Sequence, residues 1–428
     1  MTASDDIRRL PVTMASAAAL DVADPLAALR QEFLLPAGIY FCGHSLGPAP
    51  RAAHERLERE WSDWAALGVR GHEHAHTPWV RYAESLAPAL ARLVGATPSE
   101  VIAMNALTVN LHLLLASFFR PLGERNCILL ESGAFSSDRH AVEGQLRWHG
   151  LDPAQHLIEL SARPGEHCLR EQDVHDAIAR HGPRLALVLW PGVQFRTGQA
   201  FDCGAIARSV HAAGAIAGFD HAHAIGNVLL DLHADDADFA VWCSYKYLNS
   251  GPGAMAGAFV HERHHRDGAR LRLGGWFGHE AGSRFAMLPG FRPEAGAAGW
   301  AISNPAVFSA APLGASLQLF DRTGMAALRA KSLRLTAWLE RCLQDRCGKL
   351  LDIVTPSGAA ARGAMLTVSP RSGTVAGITD LLARLAQRGL VIDQRGPWLR
   401  IAPAPFFNSF AECLTCADWM RSELTRTG

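Results

Sequence analysis

Lysine is nearly missing from this chain: of 41 basic side chains in 428 residues, only Lys246, Lys331 and Lys349 are lysines. Neither sign of charge is in excess, with 41 basic and 41 acidic residues and an isoelectric point of about 7.3. That balance offers no basic face for nucleic acid and no polybasic surface for a membrane. No apolar run approaches the ~18 residues of a membrane span. The N-terminus carries Asp5, Asp6, Asp21 and Asp24 and no continuous apolar core, so no signal peptide is expected. The nine cysteines are an odd number without framework spacing, a pattern that fits a reducing cytoplasm. Only Cys413 and Cys416 are spaced Cys-x-x-Cys, without a second pair; in a C-terminal helix they read as packing. No Gly-x-Gly-x-x-Gly joins a first strand to a helix, which removes the dinucleotide-binding signature. What is present, 49% hydrophobic and 19% charged, is a globular composition with ample core. The length suits two or three domains.

The scarcity of lysine draws attention to Lys246. It stands where the apolar run Phe239–Trp242 gives way to a Ser/Gly/Pro turn, Ser244-Tyr245-Lys246-Tyr247-Leu248-Asn249-Ser250-Gly251-Pro252-Gly253. Lys331 and Lys349 fall in segments that read as surface helix. A lysine among apolar neighbours is paired, neutral, covalently used, or snorkelling to water. Covalent use, as a Schiff base with an aldehyde, requires lysine and excludes arginine.

Taken in order, the chain opens with an arm containing a short helix around Pro25–Phe33. A Gly/Pro-rich loop, Ile39–Pro50, and an amphipathic helix at 51–67 follow. His72, His74 and His76 invite a metal reading, but Pro78 cuts the segment and no Asp or Cys completes a site; a loop with one functional histidine is the better reading. Leu111, Leu114, Leu115 and Phe118 recur at helical spacing and Pro121 stops that helix. Thr108 at its start can cap it, or the free N–H groups there can hold a phosphate. Candidate strands are Cys127–Leu130, His156–Leu160, Leu185–Trp190, Ala215–Phe219, Phe239–Trp242 and Gly257–His261, with helices near 138–149, 171–181 and 203–213. This alternation of apolar strands and helices predicts an α/β fold with a mainly parallel sheet covered on both faces. Ligands then bind beyond the carboxyl ends of the strands. Those ends carry Glu131–Asp138, Asp220–His223 and Ser244–Lys246. After residue 265 come loops, a long helical region at 312–346, strands at Ala364–Ser369, Leu390–Asp393 and Trp398–Ala402, a helix near 375–388 and a last helix from 410, which predict a small α+β domain.

Pyridoxal phosphate needs a lysine for its aldehyde, a carboxylate for its ring nitrogen, a flat apolar partner, and a helix start for its phosphate. Lys246, Asp220, Phe135 and Thr108 supply one of each. Singly each is weak: Asp220 alone could bind a ribose.

Over nearly its whole length the sequence resembles the kynureninase family. The resemblance is carried by Tyr40–Gly47, Gly71-His72 with Pro78-Trp79, Met104–Leu114, Gly192–Gln199, Gly218–Asp220 with His223–Asn227, and Trp242–Asn249. Trp276–His279, Ile302–Pro305, Arg400–Pro403 and Asn408–Phe410 complete it. The resemblance implies the mainly parallel seven-stranded sheet of fold-type-I pyridoxal-phosphate enzymes, with a smaller C-terminal α+β domain. It implies an arm of residues 1–40 that forms part of the small domain, a large cofactor-binding domain at 41–300, and a small domain at 301–428. It implies a cytoplasmic homodimer with shared active sites, a small amino-acid substrate, and no metal. The activity implied is hydrolysis of kynurenine or 3-hydroxykynurenine to anthranilate or 3-hydroxyanthranilate plus alanine.

By the same resemblance Lys246 bonds the cofactor and moves the Cα proton, and Tyr245 is the acid–base relay. Asp220 holds the ring nitrogen with Asp138 nearby, and Phe135 stacks on the ring. Leu107, Thr108 and Tyr245 bind the phosphate region, Ser136 and Ser137 belong to the cofactor loop, and His223 is close by. Trp276 and Asn304 reach in from the neighbouring subunit. Arg400 clamps the substrate α-carboxylate, and Ser45 and His72 line the substrate side. His72 and Asn304 together imply a preference for the 3-hydroxy substrate. Three residues depart from the family: His44 stands for Asn, Ser136 for Pro, and Pro191 for Ser or Thr. They imply altered cofactor affinity with the chemistry kept. A desulfurase, an aminotransferase, an enzyme of secondary metabolism taking a substituted kynurenine, and an idle scaffold are the competing readings. Tyr245 before Lys246, where a desulfurase carries His, counts against the first, and intact Lys246 and Asp220 against the last.

Overall fold

The computed structural model describes residue 7 and residues 9–266, 270–371 and 374–426; residues 1–6 and 8 of the expected arm and the last two residues of the expected small domain lie outside the described residues. Seven short strands form one sheet: β1 (Val101–Ala103), β2 (Cys127–Glu131), β3 (Leu157–Leu160), β4 (Leu185–Pro191), β5 (Ile216–Asp220), β6 (Phe239–Trp242) and β7 (Gly257–Val260). Their order is β1-β7-β6-β5-β4-β2-β3. Pairs β2–β3, β2–β4, β4–β5 and β5–β6 are parallel, while β7 runs antiparallel to both neighbours. The expected mainly parallel sheet is therefore present.

The all-apolar strands follow from burial on both faces. Alternate side chains point opposite ways, so Cys127, Leu129, Val188 and Trp190 enter one core and Ile128, Leu130, Leu187 and Leu189 the other. Helix Leu107–Phe118 covers the second face with Leu111, Leu114, Leu115 and Phe118. Helices Tyr82–Val94, Cys203–Ala212 and Val307–Thr323 cover the first.

A second, fully antiparallel sheet is ordered Leu351–Ile353, Leu366–Pro370, Trp398–Ile401, Asp393–Arg395. Helices Met325–Cys347, Val375–Gln387 and Phe410–Thr425 pack with it, and the same core takes in Ile7, Val12, Ala17, Leu20, Ile39 and Phe41 from the start of the chain. Cys413 and Cys416 are buried there, as packing residues.

Four expectations need correction. The arm's main helix is Met14–Val22; the stretch expected to be helical around Pro25–Phe33 is a 3-10 turn, Ala27–Glu32, leading into a two-residue strand. The region 312–346 is two helices, parted at Gly324, whose φ of +81° ends the first. In the two larger sheets Val101–Ala103 and Leu351–Ile353, each only three residues long, were not anticipated, nor were the two-residue strands Phe33–Leu34, Ile39–Tyr40 and Ala49–Pro50, and the expected strand Leu390–Asp393 is split, Leu390–Val391 pairing with Ile39–Tyr40 and Asp393–Arg395 joining the second sheet. Lys331 is no surface residue: it is buried, and its Nζ lies 2.7 Å from Asp24 Oδ2. That pairing satisfies a lysine that burial would otherwise penalise. Lys349 is exposed, as expected.

Candidate active site

The carboxyl ends of β2, β4, β5 and β6 meet in one cleft. Its walls include Leu107, Thr108, Glu131, Phe135, Ser137, Asp138, Trp190, Pro191, Phe195, Asp220, His223, Tyr245 and Lys246. Lys246 is only 9% exposed. Its Nζ lies 5.6 Å from the centroid of the Phe135 ring and 5.9 Å from that of Tyr245. The turn that carries it is clamped from above by the Gly/Pro-rich loop. The Gly47 N–H donates to the Tyr245 carbonyl at 2.8 Å. A Cβ at Gly47 would stand 2.4 Å from the Lys246 carbonyl oxygen, so only glycine lets the two loops touch.

Asp220 ends β5 and accepts the Ala222 N–H at 2.7 Å through Oδ1. Asp138, in the first turn of helix Ser136–Trp148, hydrogen-bonds the Asp220 side chain. Burial, reinforced by the Asp220 charge, raises the Asp138 carboxyl well above the ordinary range, which favours a proton on Asp138 held toward Asp220. Burial also pushes Glu131 up to about 7, although Gln194 donates to its Oε1 at 3.0 Å. His223 is held well below its ordinary value, first by burial and then by Lys246 and Arg400, and is neutral. Burial raises the Tyr245 phenol, keeping its proton on.

Thr108 does not cap its helix. The cap position is Ala106, with no side-chain hydrogen bond. The first N–H groups, having no intrahelical acceptor, open instead beside the cleft that Leu107 and Thr108 line.

Of the residues expected in the site, Leu107, Thr108, Phe135, Ser137, Asp138, Asp220, His223, Tyr245 and Lys246 line this one cleft. Ser136 does not; it is exposed at the first position of its helix. His72 and Asn304 line a separate pocket with Glu60, Trp64, Trp79 and Phe308. Trp276 lines neither: it is 45% exposed, and its Nε1 donates to the Arg284 carbonyl at 3.3 Å. Arg400 and Ser45 lie behind the cleft wall in a polar network with His44 and Asp393. Arg400 donates through Nη1 to the carbonyl of Phe195, a wall residue whose ring meets Phe135 edge-on at 5.1 Å.

The sequence reading places Glu131 at a strand end, Phe195 in a stretch that carries the resemblance and Asp393 at the end of an expected strand, but gives none of the three a role in the site. A signal for Asp393 exists: Gly396-Pro397 turns a hairpin whose register sets Asp393 opposite Arg400. His72, His74 and His76 are all exposed and form no metal cluster among the described residues. Two other groups bring ligand atoms together, Cys42/His44/Asp393 and Glu100/His233/His261. The first has the Arg400 cation bound to its carboxylate. In the second the two imidazoles stack at 17°, so their lone pairs do not converge on one point, and Glu100 already accepts from the Thr97 and Glu262 N–H groups.

Residues 328–420 match the family model described as the kynureninase C-terminal domain. The chain is 53% identical over 410 residues to the kynureninase of Xanthomonas oryzae pv. oryzae (strain MAFF 311018), covering 94% of this chain and 96% of the relative. It is 52% identical over 408 residues to that of Xanthomonas campestris pv. campestris (strain B100), with the same coverage. Among solved structures it resembles a C-DES mutant with glycine covalently linked to the PLP cofactor, at a TM-score of 0.77, 17% identity and coverage of 91% and 98%. It also resembles an apo cysteine desulfurase from Thermococcus onnurineus NA1, at 0.74, 16%, and 91% and 95%. At such identities these two structures speak for the fold.

Proposed function

Because the chain belongs to the kynureninase family, we propose that it hydrolyses kynurenine or its 3-hydroxy form to anthranilate or 3-hydroxyanthranilate plus alanine, a step of tryptophan breakdown, with pyridoxal phosphate in the Lys246 cleft. The observation that carries this reading is a buried lysine sharing one cleft with a hydrogen-bonded pair of carboxyl groups, Asp138 and Asp220.

The residues fit the cofactor. Lys246 offers the amine for its aldehyde, and Asp220, backed by Asp138, the carboxylate for its ring nitrogen. Phe135 offers a ring face. The helix start at Leu107 and Thr108 suits its phosphate, with Ser137 and Tyr245 lining the same cleft and His223 as a neutral neighbour; Ser136 stays outside the cleft. Bound there, pyridoxal phosphate supplies an electron sink for bond-breaking at the substrate. The chain's own residues do the rest. The Lys246 amine takes and returns the Cα proton. Tyr245, protonated at neutral pH, donates to the substrate carbonyl oxygen as water adds to it and takes up the proton that the water gives up; as the Cβ–Cγ bond breaks, a hydroxyl proton of the hydrate is lost and Cβ gains one. Arg400 receives the α-carboxylate with Ser45 beside it.

The preference for the 3-hydroxy substrate rests on His72 and Asn304, which line one pocket. A pocket built to bond a hydroxyl penalises the substrate without it; equal kcat/KM on both substrates would remove the preference. A homodimer in which Trp276 and Asn304 serve the neighbouring site is supported by the exposed apolar side chains Trp61, Trp64, Trp276, Phe285 and Phe308, and a cytoplasmic location by the nine free cysteines. In this reading the arm is 1–40, the large domain 41–300 and the small domain 301–428; the packing of Val307–Thr323 against the first core argues for moving the last boundary to Gly324. A desulfurase reading lacks an exposed nucleophile among the described cysteines, all of which are buried or half-buried.

The test is an absorption spectrum of the purified protein followed by 3-hydroxykynurenine. A visible band that Lys246→Ala abolishes, with alanine released in step with 3-hydroxyanthranilate, supports the reading. No band after adding pyridoxal phosphate overturns it, and a band without alanine release rejects the substrate.

A further inference from the structure

Arg400, 1% exposed, is already gripped on one side. Its Nε donates to Asp393 Oδ1 at 2.7 Å and one Nη2 hydrogen goes to Asp393 Oδ2. The other Nη2 hydrogen goes to Ser45 Oγ at 3.1 Å, and one Nη1 hydrogen to the Phe195 carbonyl at 2.6 Å. A guanidinium has five N–H hydrogens, so one Nη1 hydrogen is left over. Asp393 is as fully engaged as Arg400. Besides the two guanidinium bonds it accepts the Ser45 hydroxyl at 2.6 Å, and its Oδ1 lies 3.2 Å from Nε2 of the fully buried His44.

We propose that Asp393 is a positioning residue for substrate recognition: it occupies the Nε–Nη2 edge of Arg400 and so presents only the Nη1–Nη2 end to the α-carboxylate of the amino-acid substrate. Ser45 completes the arrangement. Its own proton goes to Asp393, so its oxygen can hold the Nη2 hydrogen until a carboxylate takes it. The opposite role, a carboxylate that keeps the seat and is expelled by substrate, conflicts with the network. Expulsion would strip both Ser45 and the buried His44 of their partner, and an unpartnered buried polar group is costly. The two roles differ in sign. Losing a fixture weakens carboxylate binding, whereas losing a competitor strengthens it.

The inference rests on Arg400 as the carboxylate receptor, and its test separates the two claims. The cofactor-loaded enzyme is compared with Asp393→Asn and Asp393→Glu for KM and kcat on kynurenine. Calorimetry then gives the affinity for L-alanine and for decarboxylated kynurenine, an amine of the same shape without the carboxylate. The expected result is a KM raised about tenfold or more with kcat within about threefold, the split that marks lost binding common to ground and transition states. L-alanine weakens by a similar factor, while the decarboxylated ligand binds as before and reports an intact fold. Asp393→Glu, which keeps the charge but shifts it by one methylene, gives the same selective loss. A lowered KM, an unchanged KM, or equal weakening of both ligands overturns the proposal. If Arg400→Ala does not alter discrimination between the two ligands, the carboxylate reading of Arg400 itself falls.

Discussion

His44 offers a quantitative test of how dry this network is. Its ring is fully buried; Nε2 is 3.2 Å from Asp393 Oδ1 and Nδ1 meets no protein partner. Burial lowers its pKa from 6.5 to about 4, against the pull of Asp393. Because the folded value lies below the unfolded one, the unfolded chain binds more protons between these limits. The stability that this histidine contributes is full above pH 6.5 and is lost as pH falls toward 4. From pH 7.5 to pH 5 the loss is about 2 kcal/mol. The whole-protein profile does not isolate it. Glu131, pushed up to about 7, gains about 2 kcal/mol over the same interval, because the folded state there binds the extra proton. The difference between two proteins does isolate it. His44→Gln places an amide N–H at the reach of Nε2, keeps the bond to Asp393 and removes the titration. Urea unfolding of wild type and variant, with equal cofactor loading, should show the variant losing about 2 kcal/mol less between pH 7.5 and pH 5. A difference below about 0.5 kcal/mol, within the usual error of extrapolation, would mean that His44 is protonated in the fold and that the Asp393 network holds an ion pair instead of a neutral imidazole.

Three further outcomes are expected. Gly47→Ala drives a Cβ to 2.3 Å from Asn249 Oδ1 and 2.4 Å from the Lys246 carbonyl, and should cost about 1–3 kcal/mol in urea unfolding while loosening cofactor retention; a neutral effect would show that the two loops do not press together. Asp220→Asn removes the carboxylate nearest the proposed ring-nitrogen position and should weaken cofactor binding by about a hundredfold, whereas Asp138→Asn keeps a donor toward Asp220 and should stay within about tenfold; equal losses in equilibrium dialysis would refute a donor role for Asp138. Ser136→Pro suits its place, the first helical position after Phe135 at φ −58° and ψ 139°, and should stabilise the fold by about 0.4–1 kcal/mol and tighten cofactor binding; an unchanged cofactor dissociation constant would separate this departure from cofactor affinity.

What the sequence shows and what it hides divide along physical lines. Strands β2, β4, β5 and β6 are legible because each is buried on both faces, and burial writes an unbroken apolar run. Their carboxyl ends are then legible by topology alone, which is why Lys246, Asp220 and Asp138 could be brought together before any coordinates. Val101–Ala103 is hidden because three apolar residues before a helix fit several structures equally well. The burial of Lys331 is hidden because its partner, Asp24, lies over 300 positions away, in the loop just past the arm helix Met14–Val22.

Asp393 is the instructive failure. It ends the strand expected at Leu390–Asp393 but in the fold opens a separate polar strand, Asp393-Gln394-Arg395, and its role depends on which edge of Arg400 it takes. A motif can nominate an arginine as a carboxylate receptor, because the residue type alone makes the chemistry possible. It cannot say how many of the five N–H groups are already spent. That count comes from the hairpin register that sets Asp393 against Arg400, and from the loop that brings Ser45 and His44 to the same carboxylate. The specificity of such a site therefore depends as much on the residues that occupy the receptor's unused edge as on the receptor itself. Substitutions at Asp393, His44 or Ser45 should tune carboxylate affinity without touching the lysine that does the chemistry.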